Sequence, residues 1–372
     1  MELTVKDILE RASAFETDGT PIDAVPFGGG HINGTYLVTT DSGKRYTLQS
    51  INSNVFKKPQ EVMSNIALIL EHIRGKILAE GGDVERECLN PVKTKDGELL
   101  LTPSEGGYYR MYAFIEGNVY DSVEKPEHFY YAARAFGRFQ NLLSDFPAEK
   151  LYETIKSFHD TRWRFDNLEK AVSEDKCGRL SEVQADVDFA MARRIEAGKV
   201  IEAIESGRIP LRVTHNDTKF NNVLLDDNGH DMCVLDLDTV MPGSMLYDFG
   251  DAIRFGATHA AEDEQNLDLV DVDLELFEAY TRGFLEALGD RITEGEMSLL
   301  AFSAKLMTLE CGIRFLTDYL EGDTYFKTHF PKQNLYRTRT QLKLVWDMER
   351  KMGEMERIVR EFGIRNSEFG ID

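Results

Sequence analysis

The spacing of apolar positions predicts a strand-rich first part of the chain. Residues 4–16 place apolar side chains at helical intervals, which predicts an opening amphipathic helix. Residues 59–79 follow the same i, i+3, i+4 pattern and begin with Pro59, a residue suited to a first helical turn. Stretches rich in Val, Ile, Thr, Tyr and Phe predict strands at 22–27, 34–40, 45–51, 89–93, 98–102 and 108–115. A small antiparallel sheet with a helix between its strands is therefore expected.

Helical patterns dominate the chain after a short polar segment with a glycine, residues 116–121. The predicted helices lie at 126–143, 148–172, 181–206, 273–288, 294–321 and 332–362. This order predicts an α+β, bilobal fold with a small N-terminal antiparallel sheet lobe and a larger, mainly helical C-terminal lobe. The 372 residues also exceed the size at which a single core usually keeps growing. We expect an N-terminal lobe at 1–115, a hinge at 116–121 and a C-terminal lobe at 122–372.

The excess of acidic residues limits the kinds of partner that the protein can bind. Forty-three basic against 65 acidic residues give a net charge of −22, which repels nucleic acid and anionic membrane surfaces, so neither is an expected partner. No apolar run approaches the roughly 20 residues that a membrane span requires. The cysteines are far apart and show no C-x-x-C spacing; they are Cys88, Cys177, Cys233 and Cys311. The opening residues also lack a basic-then-apolar leader pattern, so we expect a cytoplasmic protein with reduced thiols.

The strongest chemical signal is HNDTKFNN at 215–222, which reads H-x-D-x-x-x-x-N. Two apolar runs follow, separated by the turn sequence DDNG, and the second run leads to Asp236. Phosphoryl-transfer enzymes use this arrangement to aim one carboxylate at a hydroxyl while an amide oxygen and a later Asp hold a metal ion. The alternative is an ordinary turn, because Asp and Asn are common in turns. The flanking strands favour Asp217 as a base and Asn222 with Asp236 as metal ligands.

A second signal is the glycine-rich stretch FGGGHINGTYLV between two predicted strands. Small residues at a hairpin tip let backbone N–H groups approach phosphate oxygens. The stretch is neither a P-loop nor the full G-x-G-x-x-G of protein kinases, and alone it also fits a flexible turn. Together with Asp217 and Asn222 it favours a loop that covers phosphates, with His31 and Asn33 as polar contacts.

These segments resemble known families. HNDTKFNNVLLD with VLDLDT resembles the aminoglycoside phosphotransferase and choline kinase superfamily, small-molecule kinases with a protein-kinase-like fold. GGGHINGTYLVTT, DLDTVMPGSMLYDFGDAIRFGA and ECGIRFLTDYLEGDTYF further resemble the N-acetylhexosamine 1-kinases, which phosphorylate the anomeric hydroxyl of N-acetylglucosamine and N-acetylgalactosamine. The resemblance extends from about residue 25 to about residue 350.

The resemblance implies an ATP-dependent, Mg²⁺-requiring kinase that makes sugar 1-phosphates in amino-sugar salvage. Asp217 would be the catalytic base and contact the substrate hydroxyl, and Asn222 with Asp236 would hold magnesium. Arg314 would contact the sugar; its alternative is a salt bridge to Asp318 one turn later. The implied nucleotide-binding residues are Gly28, Gly29, Gly30, His31, Asn33 and Gln49.

Some assignments stay open. Asp238 is a candidate substrate contact, but it could also bind metal or point away, because side chains two apart share a face only on a regular strand. Gln49 stands where protein kinases carry a lysine that binds the phosphates. In those kinases an acidic residue of the following helix pairs with the lysine, and here Glu61 and Glu71 are the only candidates for that position. We expect His215 to support its loop by hydrogen bonding.

Other functions fit the same motifs. The alternatives are a kinase of this fold that acts on another hexose, homoserine or an amino alcohol, and a non-catalytic module that binds a nucleotide or sugar. The intact set of Asp217, Asn222 and Asp236 argues against the non-catalytic module. Asp248 and Asp251 are expected to cap or brace the start of a helix.

Overall fold

The structure, a computed structural model, describes residues 3–28, 32–123 and 125–369, with side chains as far as 364. The strands are β1 Pro21–Pro26, β2 Gly34–Thr40, β3 Arg45–Ser50, β4 Pro91–Val92, β5 Tyr109–Ala113, β6 Arg212–Thr214, β7 Val223–Leu225, β8 Asp231–Val234 and β9 Met241–Gly243. The helices are α1 Val5–Ala12, α2 Pro59–Ala79, α3 Val84–Glu87, α4 Pro126–Leu142, α5 Thr161–Glu174, α6 Leu180–Met191, α7 Lys199–Glu205, α8 Met245–Gly256, α9 Leu274–Leu288, α10 Glu294–Glu321 and α11 Gln333–Phe369.

The first part of the chain forms an antiparallel sheet in the order β1-β2-β3-β5-β4. The side chains of α1 pack on this sheet, where Ile8 and Phe15 join a core with Val38 and Leu48. α1 begins at a capping box formed by Thr4, whose hydroxyl accepts from the backbone N–H three residues later. β3 and β5 are direct neighbours in this sheet, which matters for the site below.

A second core connects the sheet to the helical part. α2 contributes a buried stripe that includes Ile66, Ile69 and Ile73, and this stripe packs in one cluster with Phe139 of α4 and with Leu237. The stripe follows the i, i+3, i+4 spacing that predicted the helix. This core also includes Val213 and Leu224, which lie on either side of the segment 215–222. α2 therefore helps to fix that segment against the sheet.

The helical part surrounds α8, which is buried on nearly every side; all its residues except Phe255 are buried. Gly250 lets α8 approach α10 closely, because a Cβ there would collide with the carbonyl oxygen of Ser303. The polar residues of α8, Asp248, Asp251 and Arg254, are buried as well, so the helix makes its ion pairs and hydrogen bonds inside the protein. The sequence predicted a helix start near Asp248 and Asp251 but no bounds for the helix.

The architecture confirms the predicted α+β, protein-kinase-like fold with a sheet lobe and a helical lobe. Four helices lie close to their predicted bounds: α2, α4, α9 and α10. The stretches 148–172 and 181–206 are each divided, and 98–102 supplies only an isolated bridge at Leu101 rather than a strand. The division at residues 116–121 stays a prediction.

Two further observations bear on the expected partners and location. None of the helices within the described ranges combines the length and apolarity that a bilayer crossing requires. All four cysteines are free thiols.

Candidate active site

The segment 215–222 lies between β6 and β7 and is held in place by Asp248 of α8. The Asp248 carboxylate accepts hydrogen bonds from the backbone N–H of His215 at 2.9 Å and of Asn216 at 2.8 Å, and from Gln140 Nε2 at 2.7 Å. α8 begins at an N-cap formed by Ser244. Asp248 lies in the first turn of α8, at the helix start as expected, but it does not cap the helix; its carboxylate braces the loop instead.

His215 supports the loop, as predicted. It is completely buried, and its Nε2 lies 2.9 Å from the carbonyl oxygen of Leu235, just ahead of the predicted metal ligand. The rings of Phe136 and Phe139 contact it edge-on. The backbone N–H of Asp217 donates to His215 Nδ1 at 3.3 Å. His215 thus connects the base loop to the segment that follows β8.

Asp217 and Asn222 are brought together by their own loop. Asn222 Nδ2 donates to the Asp217 carbonyl oxygen at 2.8 Å and to its carboxylate at 3.1 Å. This orientation leaves the Asn222 amide oxygen for another partner. Lys219 Nζ lies 3.0 Å from the second Asp217 oxygen, and Asp217 is the main cause of the raised pKa of Lys219. Sequence reasoning missed Lys219, although a basic residue two positions after the base was a readable signal.

Asp236 follows β8, which ends at Val234, three residues before the end of the strand predicted at 232–237. Its φ of 52° is in the left-handed region, a conformation that is uncommon and mildly strained for a residue other than glycine. The side chain is exposed to the cleft, yet protein surrounds it on its other sides. Desolvation there, then the charges of Asp238 and Asp217, raise the pKa of Asp236, while Arg110 opposes them. The backbone N–H of Leu235 donates to the carbonyl oxygen of Asn222 at 2.8 Å, so the segment that carries Asp236 lies beside the loop of Asp217 and Asn222.

Asp238 does not lie in a regular strand, because Leu237–Thr239 form a short 3₁₀ turn. The carboxylate is buried and its Oδ1 lies against the guanidinium of Arg110 at ion-pair distance. No donor in the described part of the chain gives that oxygen a well-oriented hydrogen bond. The other oxygen accepts from Asn33 Nδ2 at 2.6 Å. Asp238 therefore links the glycine-rich turn to the sheet.

The glycine-rich turn is only partly described. Gly28 has φ of 74° and open space around its α-carbon, as a turn that lies over a ligand requires. Three predicted nucleotide contacts lie outside the described residues: Gly29, Gly30 and His31. The Gln49 side chain is engaged within the protein, since it accepts from Arg110 Nε at 2.9 Å and donates to Thr35 at 3.3 Å.

Arg314 lies on α10 between two aromatic rings, 5.2 Å from the centroid of Phe158 and 5.5 Å from that of Phe326. The predicted alternative, a salt bridge to Asp318, does not form. Asp318 instead accepts hydrogen bonds from three backbone N–H groups just beyond the helix and from Asn334. Arg314 makes no ion pair with any carboxylate in the described ranges, so its guanidinium can bind a ligand.

Polar side chains surround Arg314. Glu310, one turn earlier, is buried and bonded to His159 Nδ1 at 2.7 Å and to Thr161 Oγ1 at 2.6 Å. Arg164 donates to a backbone carbonyl, and burial together with the positive charge of Arg314 lowers its pKa to about 10. Two arginines without a carboxylate of their own thus lie at this end of the site.

Asp251 connects this polar region to the base. It is buried in α8 and accepts from Arg254 Nε at 2.9 Å. Burial raises its pKa, but the charges of Arg254 and Lys219 lower it more, so the net pKa lies below the usual value. Lys219 in turn lies against Asp217. Asp251 had been expected at a helix start, but it lies inside α8.

The residues near Asp236 suit a divalent cation that also binds phosphate. In the part of the chain that is described, no group of three or more His, Cys, Asp or Glu side chains can hold a metal ion by itself. However, Asp236 has two acidic neighbours, and the Asn222 amide oxygen is available, whereas Asp238 Oδ1 is already paired with Arg110. Magnesium usually takes one or two carboxylates and completes its ligands with water and substrate phosphates, so the donor set fits.

A bilobal fold with this loop and hairpin defines a small-molecule phosphotransferase, and comparison with known proteins agrees. The sequence profile of the phosphotransferase enzyme family, which is the aminoglycoside phosphotransferase family, matches residues 23–285. The chain therefore belongs to this family.

Solved structures show the same fold. A microcompartment-associated aminopropanol kinase aligns with a TM-score of 0.59 and 14% identity, over 95% of this chain and 99% of that one. A spectinomycin phosphotransferase in complex with ADP and spectinomycin aligns with a TM-score of 0.59 and 13% identity, over 94% and 99%. An amicoumacin kinase in complex with AMP-PNP, Ca²⁺ and its antibiotic aligns with a TM-score of 0.58 and 13% identity, over 91% and 92%.

Proposed function

We propose that this protein is an ATP-dependent kinase that phosphorylates the anomeric hydroxyl of N-acetylhexosamines, giving the sugar 1-phosphate. The observation that carries the proposal is the meeting of Asp217, Asn222 and Asp236 at one end of a hairpin, together with Arg314 and Arg164, which make no ion pair with a carboxylate in the described ranges. The first half of that observation supports phosphoryl transfer. The second supports a neutral, hydroxyl-rich acceptor.

Asp217 acts as the base. Asn222 and Lys219 hold its two oxygens, so the carboxylate has a defined direction before the acceptor binds. Phosphoryl transfer needs mainly alignment and charge neutralisation, and holding two reactants in line contributes on the order of 7–11 kcal/mol. An anomeric hydroxyl is more acidic than an ordinary alcohol, so an aspartate carboxylate is a sufficient acceptor for its proton. Lys219 also places a positive charge beside the moving phosphoryl group.

Asn222 and Asp236 would hold Mg²⁺, with Asp238 close behind. The ion would neutralise the developing charge on the phosphate oxygens. Gly28 to Asn33 would cover the phosphates, and Gln49 would lie beneath them on β3. The hydrogen bond between Asn33 and Asp238 supports this arrangement, because it ties the turn to the metal-binding segment.

The acceptor would bind at Arg314. Two arginines lie there without ion-pair partners in the described ranges, and burial, then the charge of Arg314, lowers the pKa of Arg164. Two guanidinium charges against the one buried carboxylate of Glu310 disfavour a cationic acceptor such as an aminoglycoside or an amino alcohol. Guanidinium groups donate several hydrogen bonds, which suits sugar hydroxyls and an acetamido carbonyl oxygen. The rings of Phe158 and Phe326 offer apolar contact to one face of a sugar.

The proposal is tested by incubating the protein with MgATP and a panel of acceptors, followed by phosphorus NMR. We expect an acid-labile anomeric phosphate from N-acetylglucosamine or N-acetylgalactosamine. The panel includes glucose, galactose, homoserine, ethanolamine and aminopropanol. A stable 6-phosphate, or a product from an amino alcohol alone, would overturn the sugar 1-kinase assignment while leaving the kinase assignment intact.

A further inference from the structure

The phosphate side of the cleft lacks a lysine on β3 but contains a buried arginine on β5. Gln49 and Arg110 are direct partners in the antiparallel register of β3 and β5, so their side chains lie on the same face of the sheet. Arg110 Nε donates to Gln49 Oε1 at 2.9 Å. The neutral residue is therefore joined to a cation one strand away.

The partner of Arg110 comes from the metal-binding segment and not from α2. The only group of α2 within hydrogen-bond range of Arg110 among the described residues is the sulfur of Met63, at 3.8 Å. Glu61, one of the two expected acidic partners, pairs with Lys58. Arg110 instead faces Asp238, and both side chains are almost fully buried, at 2% and 3% exposure. A buried guanidinium is unfavourable without such a partner.

This ion pair lies where the phosphates would be. Asp238 is two residues from Asp236, and the positive charge of Arg110 extends to Asp236, whose pKa it lowers. Asn33, in the glycine-rich turn, donates to Asp238 and accepts from the backbone N–H of Asn52 at 2.9 Å. The turn, the sheet and the metal-binding segment therefore meet at the Arg110–Asp238 pair.

A nucleotide would bring several negative charges to a place that already has two acids. Asp238 lacks an oriented donor on one oxygen, and without Arg110 its charge would repel the polyphosphate at short range. Lys219 is paired with Asp217 beside the transferred phosphoryl group, so its charge does not offset that of Asp238. A fixed cation beneath the phosphates is therefore needed from another element.

We propose that Arg110 supplies, from β5, the fixed positive charge of the phosphate site that Gln49 does not supply from β3. It is a positioning residue that balances Asp238, the carboxylate to which Asn33 is hydrogen-bonded. This inference rests on the proposed kinase function, but it does not depend on which acceptor is phosphorylated.

The test measures nucleotide binding by calorimetry in EDTA, without metal or acceptor. For Arg110→Met we expect the Kd for ADP and for AMP-PNP to rise by about 10- to 100-fold, because charge-assisted interactions contribute about 1.5–3 kcal/mol. The Kd for adenosine should stay within about twofold, since adenosine has no phosphate. An equal loss for all three ligands, or no loss for any, would overturn the inference. If the unaltered protein binds no nucleotide, the proposed function itself fails.

A matched control distinguishes the loss of positive charge at the phosphate site from the general effect of removing a buried ion pair. Arg212 of β6 is also buried and pairs with Glu296, at 2.5 Å and 2.8 Å. Arg212→Met should lower the melting temperature as Arg110→Met does, yet leave the ratio of ADP to adenosine affinity unchanged. If both variants change this ratio equally, Arg110 has only a structural role.

The exchange Gln49→Arg with Arg110→Gln keeps both side-chain types and moves the charge by one strand, about 5 Å. We expect it to recover about tenfold or more of the ADP affinity lost in Arg110→Gln alone, because β3 can then supply the cation. Recovery of the melting temperature without recovery of ADP affinity would contradict the proposed role. Circular dichroism confirms that each variant is folded before its Kd is compared.

Discussion

The carboxylate of Asp248 and the carboxylates around Asp236 differ in the number of hydrogen-bond donors that surround them. Asp248 is completely buried and accepts three hydrogen bonds from the catalytic loop and α4. Around Asp236, the neighbours are two more acids, and Asp238 has an oxygen without an oriented donor. A carboxylate with a full set of donors stabilises a structure, whereas a group of acids short of donors favours a cation.

The influences on pKa show the same difference. Burial is the largest influence on the pKa of Asp248 and leaves it above the usual value, although His215, the backbone N–H donors and Gln140 each lower it. Desolvation also raises the pKa of Asp236, and there the next two influences, Asp238 and Asp217, raise it further. The same Asp→Asn substitution should therefore have opposite consequences in the two regions.

The largest effect is expected at the base. Asp217→Asn should lower kcat by about 100- to 10,000-fold, because a positioned proton acceptor contributes that range. The nucleotide Kd should stay unchanged, since Asp217 faces the acceptor. Steady-state rates and calorimetry on the same preparation check both quantities. A variant with near-normal turnover would contradict the assignment of Asp217 as the base.

The next effect is on stability, at Asp248. Asp248→Asn should lower the free energy of unfolding by about 3 kcal/mol, because an amide group in place of one oxygen leaves a buried donor facing another donor. Chemical denaturation measures the loss. As a control, Asp23→Asn on the exposed part of β1 should change stability by less than about 0.5 kcal/mol. A loss that is equally small for Asp248→Asn would show that the loop does not depend on this brace.

A smaller, pH-dependent effect of opposite sign is expected at Asp236. Its folded-state pKa is raised above the unfolded value of about 3.9, so the folded protein binds the proton more tightly. In EDTA, stability should therefore fall as pH rises above about 4 and through the raised pKa. Asp236→Asn should remove this slope and be more stable at neutral pH by less than about 1 kcal/mol, since solvent in the cleft screens the charge.

Melting temperatures of both proteins between pH 4 and pH 8 check the sign. Mg²⁺ with ADP should remove the same slope from the unaltered protein, because a bound cation compensates the ionised form. If stability changes with pH in the same way in Asp236→Asn and in the unaltered protein, the neighbouring acids do not raise the pKa of Asp236.

The smallest effect is expected at an exposed, paired carboxylate. Hydrogen bonds from Lys76 and then His72 lower the pKa of Asp145 to about 2. A lowered folded-state pKa contributes stability that is present above about pH 4 and is lost as pH falls towards 2. Because Asp145 is largely exposed, Asp145→Asn should cost only about 0.2–0.5 kcal/mol at pH 7 and nothing near pH 2. A loss above about 1 kcal/mol would show that surface pairs matter more here than in most proteins.

Much of the fold could be predicted from local patterns. The period of α2 and the turn residues between β7 and β8 depend only on neighbours in the chain, and both elements are found where expected. The positions of Asp217 and Asn222 were also readable, because a five-residue spacing within one loop keeps the two side chains together. Lys219 was readable on the same grounds.

Other parts of the site depend on packing. The left-handed turn at Asp236 ends β8 early, so the pleat rule could not give the direction of Asp238. The role of Asp248 depends on how α8 packs against the segment 215–222, which no spacing within α8 shows. The hydrogen bond between Asn33 and Asp238 joins residues 205 positions apart in the chain, and no local sequence pattern predicts it.

The sequence by itself determined the class of fold, the hairpin with its base and amide, and the absence of a lysine at Gln49, because each is written in short-range spacing and residue type. The tertiary structure alone decided that Arg110 lies beside that glutamine and faces Asp238, and that Arg314 is not paired with Asp318. The physical reason is that a buried charge takes its partner from whatever element packs against it, and packing is a property of the whole chain.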